Sequence, residues 1–155
     1  MHILNGGLYP DLARPSRGQL ALLNPERGPQ ISAGITEERF VTALRPTFAA
    51  DFDATADSAD IWQATARQDG QAIAHRLTRY IADRALHSER WVTALEQTDV
   101  PLAFIWGMLD PVSGAHMAHR IRERLPAAPF LELPDIGHWP QLETPQRVAS
   151  TLLST

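Results

Sequence analysis

The sequence contains no cysteine, which excludes disulfides and thiolate chemistry and fits a cytoplasmic protein. It also has no excess of basic residues. Fourteen Lys and Arg stand against eighteen Asp and Glu, a net charge of −4, with both signs spread along the chain. A nucleic-acid face would need a basic stripe, so nucleic acid is not an expected partner. No apolar run approaches the length of a membrane span. The start, Met1-His2-Ile3-Leu4-Asn5, lacks the cationic and long apolar regions of a secretory signal. Membrane is therefore not an expected partner either. Repeats and low-complexity tracts are absent. What remains is 155 residues, 44% hydrophobic and 21% charged, enough for one domain with a real core.

Ile3 and Leu4, followed by Asn5-Gly6-Gly7, read as a strand that ends in a loop. Natural domains rarely begin in mid-strand, which makes Met1 an odd start. From Pro10 to Gly34 the residues are rich in Pro, Gly, Arg and Asn, which suggests an extended excursion with a short helix at best. Thr36 caps an expected helix whose first turn carries Glu37 and Glu38, with Phe40, Val41, Leu44 and Phe48 on one face and Pro46 as its end or kink. Ser58 to Gln68 is a second helix, with Ile61, Trp62 and Thr65 aligned. Asp69 to Arg84 is the strongest, with Ile73, Leu77, Tyr80, Ile81 and Arg84 sharing a face. Glu89 to Glu96 adds Trp91 and Leu95.

After Val100-Pro101 the pattern changes. Leu102-Ala103-Phe104-Ile105-Trp106 is a continuous apolar run, as expected of a parallel strand buried on both faces. A helix follows with Met117, Ala118, Ile121 and Leu125 on one side. Pro129 to Leu133 reads as a second strand, then a loop, then a helix opened by Thr144 as cap and Pro145, with Val148, Leu152 and Leu153 toward the core. The expected class is α/β. The expected division is 1–8 as a strand of the core sheet, 9–99 as a helical segment inserted between sheet strands, and 100–155 as the C-terminal α/β core.

Two residues stand where parallel sheets gather chemistry, at the carboxyl ends of strands. Asp110, in Gly107-Met108-Leu109-Asp110-Pro111, can orient a histidine by accepting its Nδ1 proton, or can simply cap the next helix. His138, in Gly137-His138-Trp139-Pro140-Gln141-Leu142-Glu143, suits general-base work near neutral pH. Alone each is ambiguous; as an ordered pair at two successive strand ends they point to a catalytic ancestry. Glu143 reads more simply as a carboxylate favoured at a helix N-terminus.

The nucleophile is missing. A Gly-x-Ser-x-Gly elbow between strand and helix is not present. Gln30-Ile31-Ser32-Ala33-Gly34 lacks the first glycine and a preceding strand, Ser113 follows Asp110 too closely, and Asp11 has no elbow. His116 and His119 are three apart on a helix but have no evident third ligand, so no metal is expected and an exposed helix face is the simpler reading. Trp62, Tyr80 and Trp139 are candidates to line a substrate pocket, although core packing is the ordinary role of aromatics at helical spacing.

The pieces Pro101 to Val112 and Gly137 to Pro145 resemble the C-terminal end of α/β-hydrolases of the epoxide hydrolase and haloalkane dehalogenase group. Leu4 to Pro10, Asp69-Gly70, Tyr80 to Arg84, His87 and Arg90-Trp91 resemble the narrower mesoderm-specific-transcript-like branch. The resemblance implies a partial α/β-hydrolase fold. Ile3-Leu4 would be the sixth strand of the family's sheet, Pro101 to Trp106 the seventh and Pro129 to Leu133 the eighth. The helical region would be the cap over the active site, Asp110 the acid and His138 the base.

The first five strands, the oxyanion-hole loop and the elbow would be absent, and the sixth strand would be an open edge inviting association. The expected function is thus the C-terminal portion of a hydrolase acting on a small hydrophobic ester, epoxide or carbon–halogen substrate, without a cofactor and inactive by itself. The alternatives are an inactive remnant serving as a binding module, or one chain of a split hydrolase whose partner is the N-terminal half.

Overall fold

The computed structural model describes residues 1–154. Its strands are β1 (His2–Leu4), β2 (Ala103–Gly107) and β3 (Phe130–Leu133). Its helices are α1 (Arg17–Leu22), α2 (Gly28–Ala33), α3 (Glu37–Leu44), α4 (Thr55–Ala66), α5 (Ala74–Leu77), α6 (Tyr80–Leu86), α7 (Ser88–Glu96), α8 (Ala115–Arg124), α9 (Pro140–Glu143) and α10 (Pro145–Leu153). Short 3₁₀ turns cover Pro10–Leu12, Arg45–Thr47 and Arg67–Ile73. No helix among the described residues is long and apolar enough to cross a membrane.

The chain forms two compact units: Met1–Arg14, Thr47–Phe52 and His87–Thr155 make one, and Pro15–Pro46 with Asp53–Leu86 the other. These boundaries differ from the expected 9–99 division. The segment 9–14, the short piece 47–52 and all of α7 belong with the sheet. Tyr9 shows why: it is buried in the core beside β2, and its hydroxyl donates to Glu96 on α7 at 3.1 Å. Burial, then the carboxylate, pushes the Tyr9 phenol up to about 12. Arg124 closes the link with two bonds to Glu96, at 2.9 and 2.7 Å.

In the sheet unit the order is β1-β2-β3, both pairs parallel, with Ile3 opposite Phe104 and Ile105 opposite Leu131. Successive residues of β2 face opposite ways. Phe104 and Trp106 pack with Met117, Ala118 and Ile121 of α8 on one side; Ile105 packs with Leu133, Ile136 and Val148 of α10 on the other. This is why Leu102 to Trp106 carries no polar residue. Trp106 is fully enclosed, and its indole N–H donates to the Ser113 carbonyl at 2.6 Å.

Helix α10 begins at the expected place, but Thr144 makes no side-chain cap bond. Leu152 and Leu153, expected to face the core, are exposed; Leu153 is 87% accessible. Only Val148 is buried on that helix, because the sheet it covers ends at three strands among the described residues.

The helical unit corrects two expectations. Pro10 to Gly34, read as mostly extended, contains α1 and α2. Ser16 and Gln19 form a reciprocal capping box, the Gln19 N–H to Ser16 Oγ at 3.2 Å and the Ser16 N–H to Gln19 Oε1 at 2.8 Å. That box satisfies end groups that a six-residue helix could not otherwise spare. Asp69 to Arg84, read as one strong helix, is broken. Gln68 and Asp69 sit in the left-handed region, with φ of 54° and 57°, which stops a helix from starting there. Further on, Thr78 Oγ1 donates to the Ala74 carbonyl at 2.7 Å, and the chain turns before α6. Ile73, Leu77 and Tyr80 of the expected apolar face are exposed.

Replacing Trp106 with Ala should destabilise the sheet unit by about 3–5 kcal/mol, because a fully enclosed indole is lost with its hydrogen bond. Leu153→Ala should cost less than about 0.5 kcal/mol. Urea unfolding of the two variants checks the contrast, and similar losses would contradict the burial pattern.

Candidate active site

The loops that follow β2 and β3 meet at the carboxyl end of the sheet. Gly107 and Gly137 make this possible. A Cβ on Gly107 would lie 1.9 Å from the Gly137 carbonyl oxygen, and one on Gly137 would lie 2.5 Å from the Thr47 carbonyl oxygen. No glycine here has positive φ. What both positions require is close backbone approach, not unusual dihedrals. The Met108 N–H then reaches Leu133 O at 3.0 Å and the Leu109 N–H reaches Ile136 O at 2.9 Å, tying the two loops together.

Asp110 hangs from the first loop and is only 4% exposed. His138 Nδ1 lies 2.7 Å from its Oδ2. The same oxygen accepts from Ser113 Oγ at 2.6 Å and from Asn5 Nδ2 at 3.0 Å, and Oδ1 accepts the Val112 N–H at 2.7 Å. Burial alone would push this carboxyl up. The bond and charge of His138, with Ser113 and Val112, outweigh it and hold Asp110 down from 3.8 to about 2. An ionised Asp110 can only accept, so Nδ1 of His138 carries the proton, and in the neutral imidazole that leaves the lone pair on Nε2. The imidazole is a quarter exposed, and Nε2 has no protein hydrogen-bond partner among the described residues. Asp110 therefore does both things its position allowed: it pairs with a histidine, and through Val112 and Ser113 it holds the turn that leads to α8.

The histidine loop is braced from behind. Glu143 Oε2 accepts the Ala49 N–H at 2.8 Å and the Gly137 N–H at 3.0 Å, while Oε1 accepts the Trp139 N–H at 3.0 Å. This corrects the reading of Glu143 as a carboxylate at the mouth of α10. It sits at the end of α9, which forms within the expected loop, and it binds backbone on both sides of His138. The His138 N–H donates to Thr47 O at 2.7 Å. Trp139 donates from Nε1 to Thr47 Oγ1 at 2.8 Å and stacks on Phe48 at 5.9 Å between ring centres. Segment 47–50 is the part of this support that pattern reading missed. Nothing in its residue types announces contact with a loop some ninety positions away.

The remaining candidates lie elsewhere. Trp62 and Tyr80 belong to the helical unit. Trp62 packs on Phe40 at 5.4 Å, and Tyr80 is exposed beneath the Arg84 guanidinium. Ser32 is fully enclosed there, accepting the His75 N–H at 2.9 Å, with His75 Nδ1 at 3.0 Å. Asp11 pairs with Arg120 at 3.3 Å. His119 is exposed, whereas His116 is half-buried with its Nε2 enclosed and unpaired, unlike the exposed face expected of both. No group of three metal-ligating side chains occurs among the described residues.

A parallel sheet covered on both faces, with a carboxylate and a histidine joined at the carboxyl ends of adjacent strands, defines an α/β protein with a candidate site where such folds place theirs. The chain has part of the α/β-hydrolase fold and is similar to proteins of that family. No protein-family model matches it. It is 33% identical over 149 residues to the mesoderm-specific transcript homolog protein of Bos taurus, covering 91% of this chain and 43% of the relative. It is 39% identical over 93 residues to LipZ of Mycobacterium tuberculosis, a protein named as a hydrolase, covering 60% of this chain and 32% of that one. The chain thus spans less than half the length of these curated relatives.

Among solved structures it is similar to an α/β hydrolase fold protein from Burkholderia ambifaria, with a TM-score of 0.74 at 17% identity over 99% of this chain and 56% of that one. A Klebsiella pneumoniae protein described as an epoxide hydrolase gives a TM-score of 0.67 at 18% identity, with the same coverage. These likenesses confirm the partial α/β-hydrolase fold expected from the sequence.

Two outcomes follow from the site. The folded-state pKa of Asp110 lies below its unfolded value, so its contribution is present above pH about 4 and is lost as pH falls toward about 2. That contribution should amount to about 2 kcal/mol, and Asp110→Asn should lack it; unfolding free energies measured across pH 2–5 check this. Glu143→Gln should cost about 2 kcal/mol, since an amide has one acceptor where three N–H groups converge. Backbone hydrogen exchange at Gly137 and Trp139 should quicken in that variant, and unchanged exchange would contradict the brace.

Proposed function

We propose that this chain supplies the acid and the base of a hydrolase acting on an ester, an epoxide or a carbon–halogen bond in a small hydrophobic substrate. The observation that carries the reading is the 2.7 Å contact between His138 Nδ1 and an ionised, buried Asp110, with Nε2 left open. Asp110 holds the imidazole in the tautomer that presents a lone pair at Nε2 and stabilises the imidazolium formed when that nitrogen takes a proton. His138 then draws the proton from a hydroxyl nucleophile, or from the water that cleaves an ester intermediate.

The nucleophile comes from residues outside this chain, since Ser32 is enclosed and Ser113 is committed to Asp110. By itself the chain does not turn over substrate. The helical unit, which carries Trp62 and Tyr80, is the candidate for selecting substrate, and Trp139 beside His138 contributes apolar surface. The triad chemistry needs no cofactor. Among the described residues β1 is an edge strand of the sheet, and an N-terminal hydrolase half would extend the sheet from that edge.

The natural polypeptide, isolated from its own cells, should hydrolyse at least one generic ester, epoxide or haloalkane. His138→Ala and Asp110→Ala should each lower the rate by roughly 10³-fold or more. The 155-residue chain assayed alone should stay at background. Activity that survives both substitutions removes Asp110 and His138 from the mechanism. A natural polypeptide that is inactive on all three substrate types favours a binding module instead.

A further inference from the structure

Asn5 stands one residue past the last paired position of β1, where Leu4 faces Ile105. Its side chain continues the ladder that the backbone leaves. Oδ1 accepts the Gly107 N–H at 2.7 Å, Nδ2 donates to the Gly107 carbonyl at 2.9 Å, and the second Nδ2 hydrogen reaches Asp110 Oδ2 at 3.0 Å. These partners fix the amide orientation. A flipped amide would set its oxygen against two acceptors and its NH₂ against an N–H donor. No carboxylate can replace it, because the atom facing Gly107 O and Asp110 Oδ2 must be a donor.

We propose that Asn5 is a positioning residue for the Asp110–His138 pair, clamping the end of β2 and holding the Asp110 oxygen that receives the histidine proton. The assignment rests on the hydrolase reading above. Asn5 touches neither the histidine nor any reacting atom. It acts through Asp110, by satisfying part of the charge on Oδ2 and limiting rotation of the carboxylate. Two donors other than the imidazole, Ser113 Oγ and Asn5 Nδ2, then fix the direction from which His138 approaches.

The test is the pH dependence of stability in Asn5→Asp, which keeps the side-chain size and an acceptor for the Gly107 N–H. At low pH the new carboxyl is protonated and can donate to Asp110. As pH rises two carboxylates face each other at hydrogen-bond distance, and the folded state of the variant is penalised. The new group's folded-state pKa is raised, so its stability is present at acid pH and lost on raising pH. The midpoint gap between unaltered chain and variant should therefore widen from pH about 4 to about 8. It should be flat for Asn5→Ala, and clearly reduced when Asn5→Asp is combined with Asp110→Asn, where only the Gly107 carbonyl still opposes the new carboxylate.

A constant gap in Asn5→Asp, or a widening undiminished in the double variant, overturns the proposal. Should Asn5→Asp not fold at any pH, the unaltered chain carries the same test by NMR. The Asn5 side-chain amide proton facing Asp110 should shift as Asp110 takes up its proton at acid pH, and an amide proton that stays still through that range overturns it. Asp110→Asn separates the two levels. If it leaves the His138 ring signals untouched, the acid–histidine pair and the hydrolase reading fail together; if it moves them while the Asn5→Asp gap stays flat, only the role of Asn5 fails.

Discussion

The close approach of two backbones at Gly107 and Gly137 is the constraint on which the site depends. With no Cβ at either position, the loop leaving β2 comes against the loop leaving β3. The Met108 and Leu109 amides then close onto the β3 side. A methyl group at either glycine would push the loops apart by more than the length of a hydrogen bond's tolerance. The 2.7 Å contact between Asp110 and His138 follows from this backbone arrangement, because each side chain projects from a loop whose position is already set.

Around that contact the polar groups are shared out with few left over. The Asp110 carboxylate accepts from four donors and Glu143 from three backbone N–H groups. Burial of a carboxylate is unfavourable, and at Asp110 it is tolerated because its donors hold it ionised. The two carboxylates divide the work between the loops. Asp110 orients the imidazole from one side, and Glu143 holds the backbone on either side of His138. The enclosed indole of Trp106 links the layers, lying in the core while its N–H secures the Ser113 carbonyl, next to the hydroxyl that serves Asp110.

Legibility varied with how local the cause was. The β2 run was readable because a strand covered on both faces admits no polar residue, and the core side of α8 because Met117, Ala118 and Ile121 repeat at helical spacing. Thr36 was readable as a cap because its partner, the Arg39 N–H, is three residues away. The capping box at Ser16 and Gln19 carried an equally local signal within a stretch whose composition suggested loop. The run from Asp69 to Arg84 misled because its apolar spacing is helical while the backbone at Gln68 and Asp69 is left-handed. Side-chain periodicity says nothing about a dihedral.

The sequence by itself determined the α/β class, the parallel strands, and the presence of an acid and a histidine after successive strands, since each depends on residues near one another in the chain. The tertiary structure alone decided which atoms meet. Asn5 reaches Asp110 across 105 positions, and Ala49 reaches Glu143 across 94. It also decided that Glu143 binds the backbone around His138 at the start of α9 rather than of α10, and that Leu152 and Leu153 remain exposed. Contacts of that span are set by how β1, β2 and β3 align and by where two glycines let backbones touch, and no residue spacing encodes them.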